Sequence, residues 1–121
     1  MASLDRLIAT AQEHQLQVWG PKAGAISGSP IESGVVLVEQ GGTEIGVWEC
    51  TPGSWESSKD GLGELMHFIS GHGWITDDEG RWEIRPGSLR WFPDGWSGAW
   101  EVDETVRKVY VLVQTVADLT G

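Results

Sequence analysis

Glu64-Leu-Met-His-Phe-Ile-Ser-Gly71 and, after a hairpin, Arg85-Pro86-Gly87-Ser-Leu-Arg-Trp-Phe-Pro93-Asp-Gly95-Trp-Ser-Gly98 form the stretch that decides the fold. Short apolar runs are cut by glycine and proline at close intervals, the pattern of β-strands joined by tight turns. A single carboxylate, Glu64, heads the first run. Between the two halves, Asp77-Asp78-Glu79-Gly80 reads as an acidic turn, and Trp82 and Ile84 alternate onto one face of the strand that follows it.

Working outward, the same punctuation continues in both directions. Val35 to Glu39 is a β-branched run, Gly41-Gly42 a tight turn and Thr43 to Thr51 the return strand, ended by Pro52-Gly53. Leu65 to Ser70 and Gly73 to Thr76 are expected as two strands around the Gly71-His72-Gly73 break. Leu89 to Phe92 and Ser97 to Val102 follow as strands. Thr105 to Thr115 is the last and longest, with Val109 to Val113 apolar on both faces. Ser54 to Gly63 is polar and predicted as a connection, and Lys22 to Ser33, rich in Gly, Ser, Pro and Ala, as a loop. Gln17 to Trp19 suits a brief strand. The one helix the pattern predicts covers Ser3 to Leu16, with Ser3 as cap and Leu4, Leu7, Ile8 and Ala11 at helical spacing. The expectation is one domain over residues 1–121: a helix-and-loop arm over 1–33, then an all-β barrel of jelly-roll type over 34–115.

Composition narrows the function. The 121 residues carry a formal charge of −10, which disfavours nucleic acid and anionic membranes as partners. Cys50 is the only cysteine, so no intrachain disulfide and no thiolate zinc cluster is expected. The chain opens with no charged-then-apolar leader and holds no apolar run of about 18 residues, so a cytoplasmic protein is expected. Eight tryptophans stand against two phenylalanines and one tyrosine. Either they fill a β core while each indole N–H finds an acceptor, or several line a pocket for a flat ligand. No G-x-S-x-G elbow and no phosphate-binding loop is present.

Gly71 follows Glu64 after six residues, and Pro93-Asp-Gly95 follows Gly87 after five. This layout closely resembles the paired motifs of the cupin superfamily. Gly46-Val-Trp-Glu-Cys-Thr-Pro-Gly53, Trp100-Glu101 and Arg107-Lys-Val-Tyr-Val111 resemble, more narrowly, the cupins that include the ureidoglycine aminohydrolase domain. The resemblance covers about residues 34 to 114. It implies a cupin-type jelly-roll β-barrel, a homodimer, and in metal-binding members a set of three histidines and one carboxylate suited to a divalent transition metal. Glu64 matches the carboxylate. Residues 53–64 hold no histidine, and the position three after Gly95 is Gly98, so no cofactor is expected, with a divalent transition metal as the alternative. His67 has the opposite strand parity to Glu64 and is expected to face outward.

The resulting expectation is a cupin that binds a small polar metabolite in a Trp-lined barrel without a full metal site. The alternative is a ureidoglycine aminohydrolase-like enzyme acting on a small nitrogenous or carboxylated metabolite. Glu64 is the candidate catalytic residue, with Met66, Phe68, Trp91, Trp100, Lys108 and Tyr110 as candidate ligand-binding residues. In an apolar pocket Glu64 would have a raised pKa and serve as general acid or base. Alternatively it pairs with Arg90, Lys59 or Lys108. Which of Arg107 and Lys108 faces the pocket is left open by the sequence.

Overall fold

A computed structural model describes residues 10–115. Within them the chain is all-β: β1 (Gln17–Pro21), β2 (Ala25–Gly28), β3 (Ile31–Gln40), β4 (Thr43–Cys50), β5 (Gly53–Ser58), β6 (Leu62–Asp77), β7 (Gly80–Ile84), β8 (Leu89–Phe92) and β9 (Ser97–Gln114). All pairings are antiparallel, and the strands form one continuous sheet in the order β1-β3-β4-β9-β5-β2, with β6 on the other edge of β9 and β7 and β8 along β6.

Two long strands organise this sheet. The first half of β9 pairs β5 and its second half pairs β4, while β6 runs along its opposite edge from Leu62 to Thr76. Three register shifts in β6, between Phe68 and Gly73, bend the pair so that the sheet curls over its own inner face. Gly71 sits at the centre of that bend with φ +96°, and a Cβ there would collide with the Thr105 carbonyl oxygen. Only glycine meets both conditions.

Alternation then assigns the faces. Glu64, Met66 and Phe68 point inward and are buried, while Leu65 and His67 are exposed on the outside. The inner face holds the core: Trp48, Cys50, Trp55, Met66, Phe68, Ile75, Ile84, Phe92, Trp100, Val102, Val106 and Tyr110. On the outer face Arg107 donates to the carbonyls of Ala11, Gln12 and His14 at 2.8–2.9 Å and to Glu49 at 3.0 Å, fastening the N-terminal segment across β4 and β9.

Several expectations need correction. Most of the predicted helix lies outside the described residues. Its remainder, from Thr10 on, is a turn closed by the Glu13 N–H on the Thr10 carbonyl, not a helix. Lys22 to Ser33 is not a single loop, because β2 and the start of β3 fall in it. Ser54 to Gly63 contains β5, whose Trp55 is buried between neighbours while Glu56 and Ser58 are exposed. The two strands predicted on either side of Gly71 are one bent strand, β6, and the last two predicted strands are one, β9.

Candidate functional site

The curled sheet encloses a cavity of about 170 Å³ at its inner face. Its walls come from β9 (Trp100, Lys108, Tyr110, Leu112), β4 (Glu44, Trp48), β5 (Trp55, Ser57), β6 (Glu64), and β1 and β3 at the mouth (Trp19, Glu32), with Lys22 and Lys59 from the connections. All three lysines of this acidic chain therefore line one cavity.

Glu64 is at its polar centre. One carboxylate oxygen lies 2.6 Å from Lys59 Nζ and the other 2.7 Å from Lys108 Nζ. The Glu64 and Lys108 side chains are only 4% and 6% exposed, so this is a buried ion pair, with Lys59 closing it at 16%. Burial alone would raise the Glu64 pKa. The two ammonium groups outweigh it and hold the carboxyl below its usual range. Of the two expectations for Glu64, the structure thus realises the pairing with Lys59 and Lys108, which opposes the rise in pKa that burial alone would bring.

Burial pushes the Lys108 ammonium down from the ordinary lysine value, with Glu64 opposing. The two directions compete, since the low Glu64 pKa requires a charged neighbour and the low Lys108 pKa favours a neutral one. We place the proton on Lys108. A neutral amine would leave the buried carboxylate short of a counter-charge and would forfeit two aromatic faces, Trp48 at 4.2 Å and Trp100 at 5.1 Å from Nζ.

Tryptophans frame this ion pair. Trp55 and Trp100 stack with centroids 5.5 Å apart, and Trp48 stands edge-on to both at 6.4 and 5.8 Å. Trp48 and Lys108 are directly opposite on β4 and β9, and Trp55 and Trp100 on β5 and β9, so strand register alone builds the cage. Nearer the mouth, Trp48 Nε1 donates to Glu32 at 2.8 Å, Lys22 lies 3.7 Å from the same carboxylate, and the Tyr110 hydroxyl donates to Glu44 at 2.7 Å. Gly46, opposite Tyr110, leaves room for that ring: a Cβ there would stand 2.7 Å from the hydroxyl.

Of the residues the sequence singled out, Glu64, Trp100, Lys108 and Tyr110 line the cavity. Met66 and Phe68 are fully buried beside it in the core and do not line it. Trp91 is misplaced by the sequence reading. It is 53% exposed on the outer face, because Glu64 pairs inward with Phe92 and the next pair, Leu65 with Trp91, must face out. Leu89, which shares its strand face, is likewise outside at 65%. Lys108, not Arg107, faces in. Trp19, Lys22, Glu32, Glu44, Trp48 and Trp55 went unrecognised as wall residues. For Trp48 the parity of Gly46, Trp48 and Cys50 was an available signal; for the others only the tertiary pairing reveals it.

The metal set implied by the cupin resemblance does not fit these residues. Both Glu64 oxygens are taken by ammonium groups, which would repel a metal cation. At Gly98, where such cupins carry a histidine, a Cβ would press 2.6 Å from the Trp96 ring, leaving no room for an imidazole. Among the described residues no group of three or more His, Cys, Asp or Glu could hold a metal ion. No helix among them is long and apolar enough to cross a membrane.

Comparisons with known proteins agree with this architecture. A protein of unknown function of the DUF861 family from Pseudomonas syringae pv. tomato superposes with a TM-score of 0.75 at 25% identity, over 84% of this chain and 46% of that one. The EutQ protein of Clostridium difficile gives a TM-score of 0.62 at 18% identity, over 70% of this chain and 69% of that one. The cupin domain of Schizosaccharomyces pombe Cnp3 gives 0.70 at 13% identity, over 94% and 78%. The last two show likeness of fold alone. No curated protein matches the chain significantly. The profile of the EutQ-like cupin domain matches residues 37–110, a span that includes Trp48, Trp55, Lys59, Glu64, Trp100 and Lys108, and the chain belongs to that cupin family.

Proposed function

We propose that this cupin domain binds a small polar metabolite in its Trp-lined cavity. The observation that carries the reading is convergence: four tryptophans, three lysines and three glutamates meet at one concave site. Structural ion pairs alone do not require an open cavity beside them. At about 170 Å³ the site is below the ~300–1,000 Å³ usual for drug-sized ligands, which favours a compact metabolite. Titrating intrinsic Trp fluorescence against a panel of small metabolites tests this. A saturable change that Trp100→Leu removes is expected; the absence of any saturable response, with melting temperature unmoved by every member, would overturn it.

An enzyme of the ureidoglycine aminohydrolase-like type is the other reading, supported by the motifs at Gly46–Gly53 and Arg107–Val111. It would call for a transition metal, and stoichiometric metal surviving dialysis of the purified protein would restore it. A homodimer is also proposed. Leu65, Leu89, Trp91 and Val113 are 39–65% exposed on neighbouring outer strands, an apolar surface that a second copy would cover. Light scattering that reports a dimer for the wild type and a monomer for Leu65→Lys supports this; a monomeric wild type removes it.

A further inference from the structure

From the unspent hydrogen-bonding capacity of the cavity we infer that its ligand is a small carboxylate with a flat apolar body, held by Lys59 beside the Trp cage. This rests on the cavity being a ligand site, and names the class of ligand. At the inner end both acceptors are engaged, since each Glu64 oxygen takes one ammonium; at the mouth one oxygen of Glu32 takes Trp48 Nε1 and Lys22 and one oxygen of Glu44 takes the Tyr110 hydroxyl. The donors are not fully engaged. An ammonium has three N–H groups, and Lys59 and Lys108 each spend one on Glu64. Trp48 and Trp100 face the rest of Lys108, whereas Lys59 meets no ring within cation–π distance among the described residues. Trp100 Nε1 is a further buried donor with no acceptor among the described residues.

Charge points the same way. Glu64 with its two lysines carries a net +1 at the inner end, while Lys22, Glu32 and Glu44 nearer the mouth bring the whole cavity to neutrality, in a chain whose formal charge is −10. A Trp cage with a carboxylate ordinarily suits a cationic ligand, but here Lys108 itself occupies the cage, so an added cation would meet an ammonium in its place. The same cavity thus turns an aromatic-cage geometry toward anions.

The test compares three benzene-ring probes of similar size by Trp fluorescence at pH 7 and fixed ionic strength: benzoate, benzamide and benzylammonium. Benzoate is expected to bind at least about tenfold more tightly than benzamide, the scale of one charge-assisted hydrogen bond, and benzylammonium more weakly still. Lys59→Met should erase that preference, Lys59→Arg should retain it, and Arg85→Met, an equal loss of charge outside the cavity, should leave it unchanged. If benzamide or benzylammonium binds as well as benzoate, the anion assignment fails while the cavity reading stands. If no probe binds, the assignment of a flat carboxylate falls, and the metabolite panel alone decides the cavity reading. Benzoate binding untouched by Lys59→Met would place the anion elsewhere and overturn the inference. Should Lys59→Met not fold, the salt dependence of the wild type decides: benzoate affinity must fall as ionic strength rises while benzamide affinity does not, and equal behaviour of the two contradicts it.

Discussion

Strand β6 carries two charge triads of opposite design. At one end Glu64 is a carboxylate between two ammonium groups, 2.6 and 2.7 Å away, sealed behind tryptophans. Eight residues on, His72 is an imidazole between two carboxylates, Asp103 and Glu83, each 2.8 Å from a ring nitrogen. The geometries are alike, yet the His72 side chain is 29% exposed and its partners 63% and 39%. Water can replace any member of the outer triad. It cannot do so for Glu64 and Lys108. The difference teaches that charge placement alone does not mark a site; burial decides which triad the fold depends on and which merely decorates its surface.

The sharpest way to break this contrast is Glu64→Gln. It leaves Lys108 buried without its counter-charge and is expected to cost about 3–5 kcal/mol in urea unfolding. A loss under about 1 kcal/mol, the range of exposed pairs, would erase the distinction between the triads. Lys108→Met is expected to cost less, about 1–3 kcal/mol, because Lys59 remains to hold Glu64. In the double variant Glu64→Leu/Lys108→Met the loss should fall well short of the sum of the singles, since neither partner is left stranded.

The two triads also predict opposite pH windows. The folded pKa of Glu64 lies below its ordinary 4.5, so its stabilisation is present above that pH and is lost as pH falls through the folded value. Hydrogen bonds from His72 to Glu83 and Asp103 raise its pKa above the ordinary 6.5. Its contribution is full below pH 6.5 and fades as pH rises through the raised value. His72→Gln should flatten that mildly alkaline decline in the unfolding midpoint and leave the acid limb to Glu64. An unchanged alkaline limb would show that the outer triad contributes nothing measurable.

The glycine and proline spacing made the fold legible because turns are local: Gly71, Gly87 and Gly95 all have positive φ, a need that sequence displays directly. Parity along β6 likewise made Glu64 legible as an inward residue, whereas along β9 it left open which of Arg107 and Lys108 faces in. What failed was what depends on a partner strand. β5 looks like a connection because its only deeply buried side chain is Trp55, and it is a strand because β9 lies beside it. Trp91 could be turned to the correct face only by knowing that Phe92 pairs with Glu64. Lys22 and Glu32 reach the cavity from segments far from it in sequence, through the pairing of β1 with β3 and of β3 with β4.

The claim that the cavity is the binding site can be read directly from the eight indole N–H resonances of ¹⁵N-labelled protein. On saturating addition of benzoate, the account predicts that the signals of Trp19, Trp48, Trp55 and Trp100, which line the cavity, shift, while those of Trp74, Trp82, Trp91 and Trp96 stay in place. Shifts confined to the second group, or none at all, would contradict it.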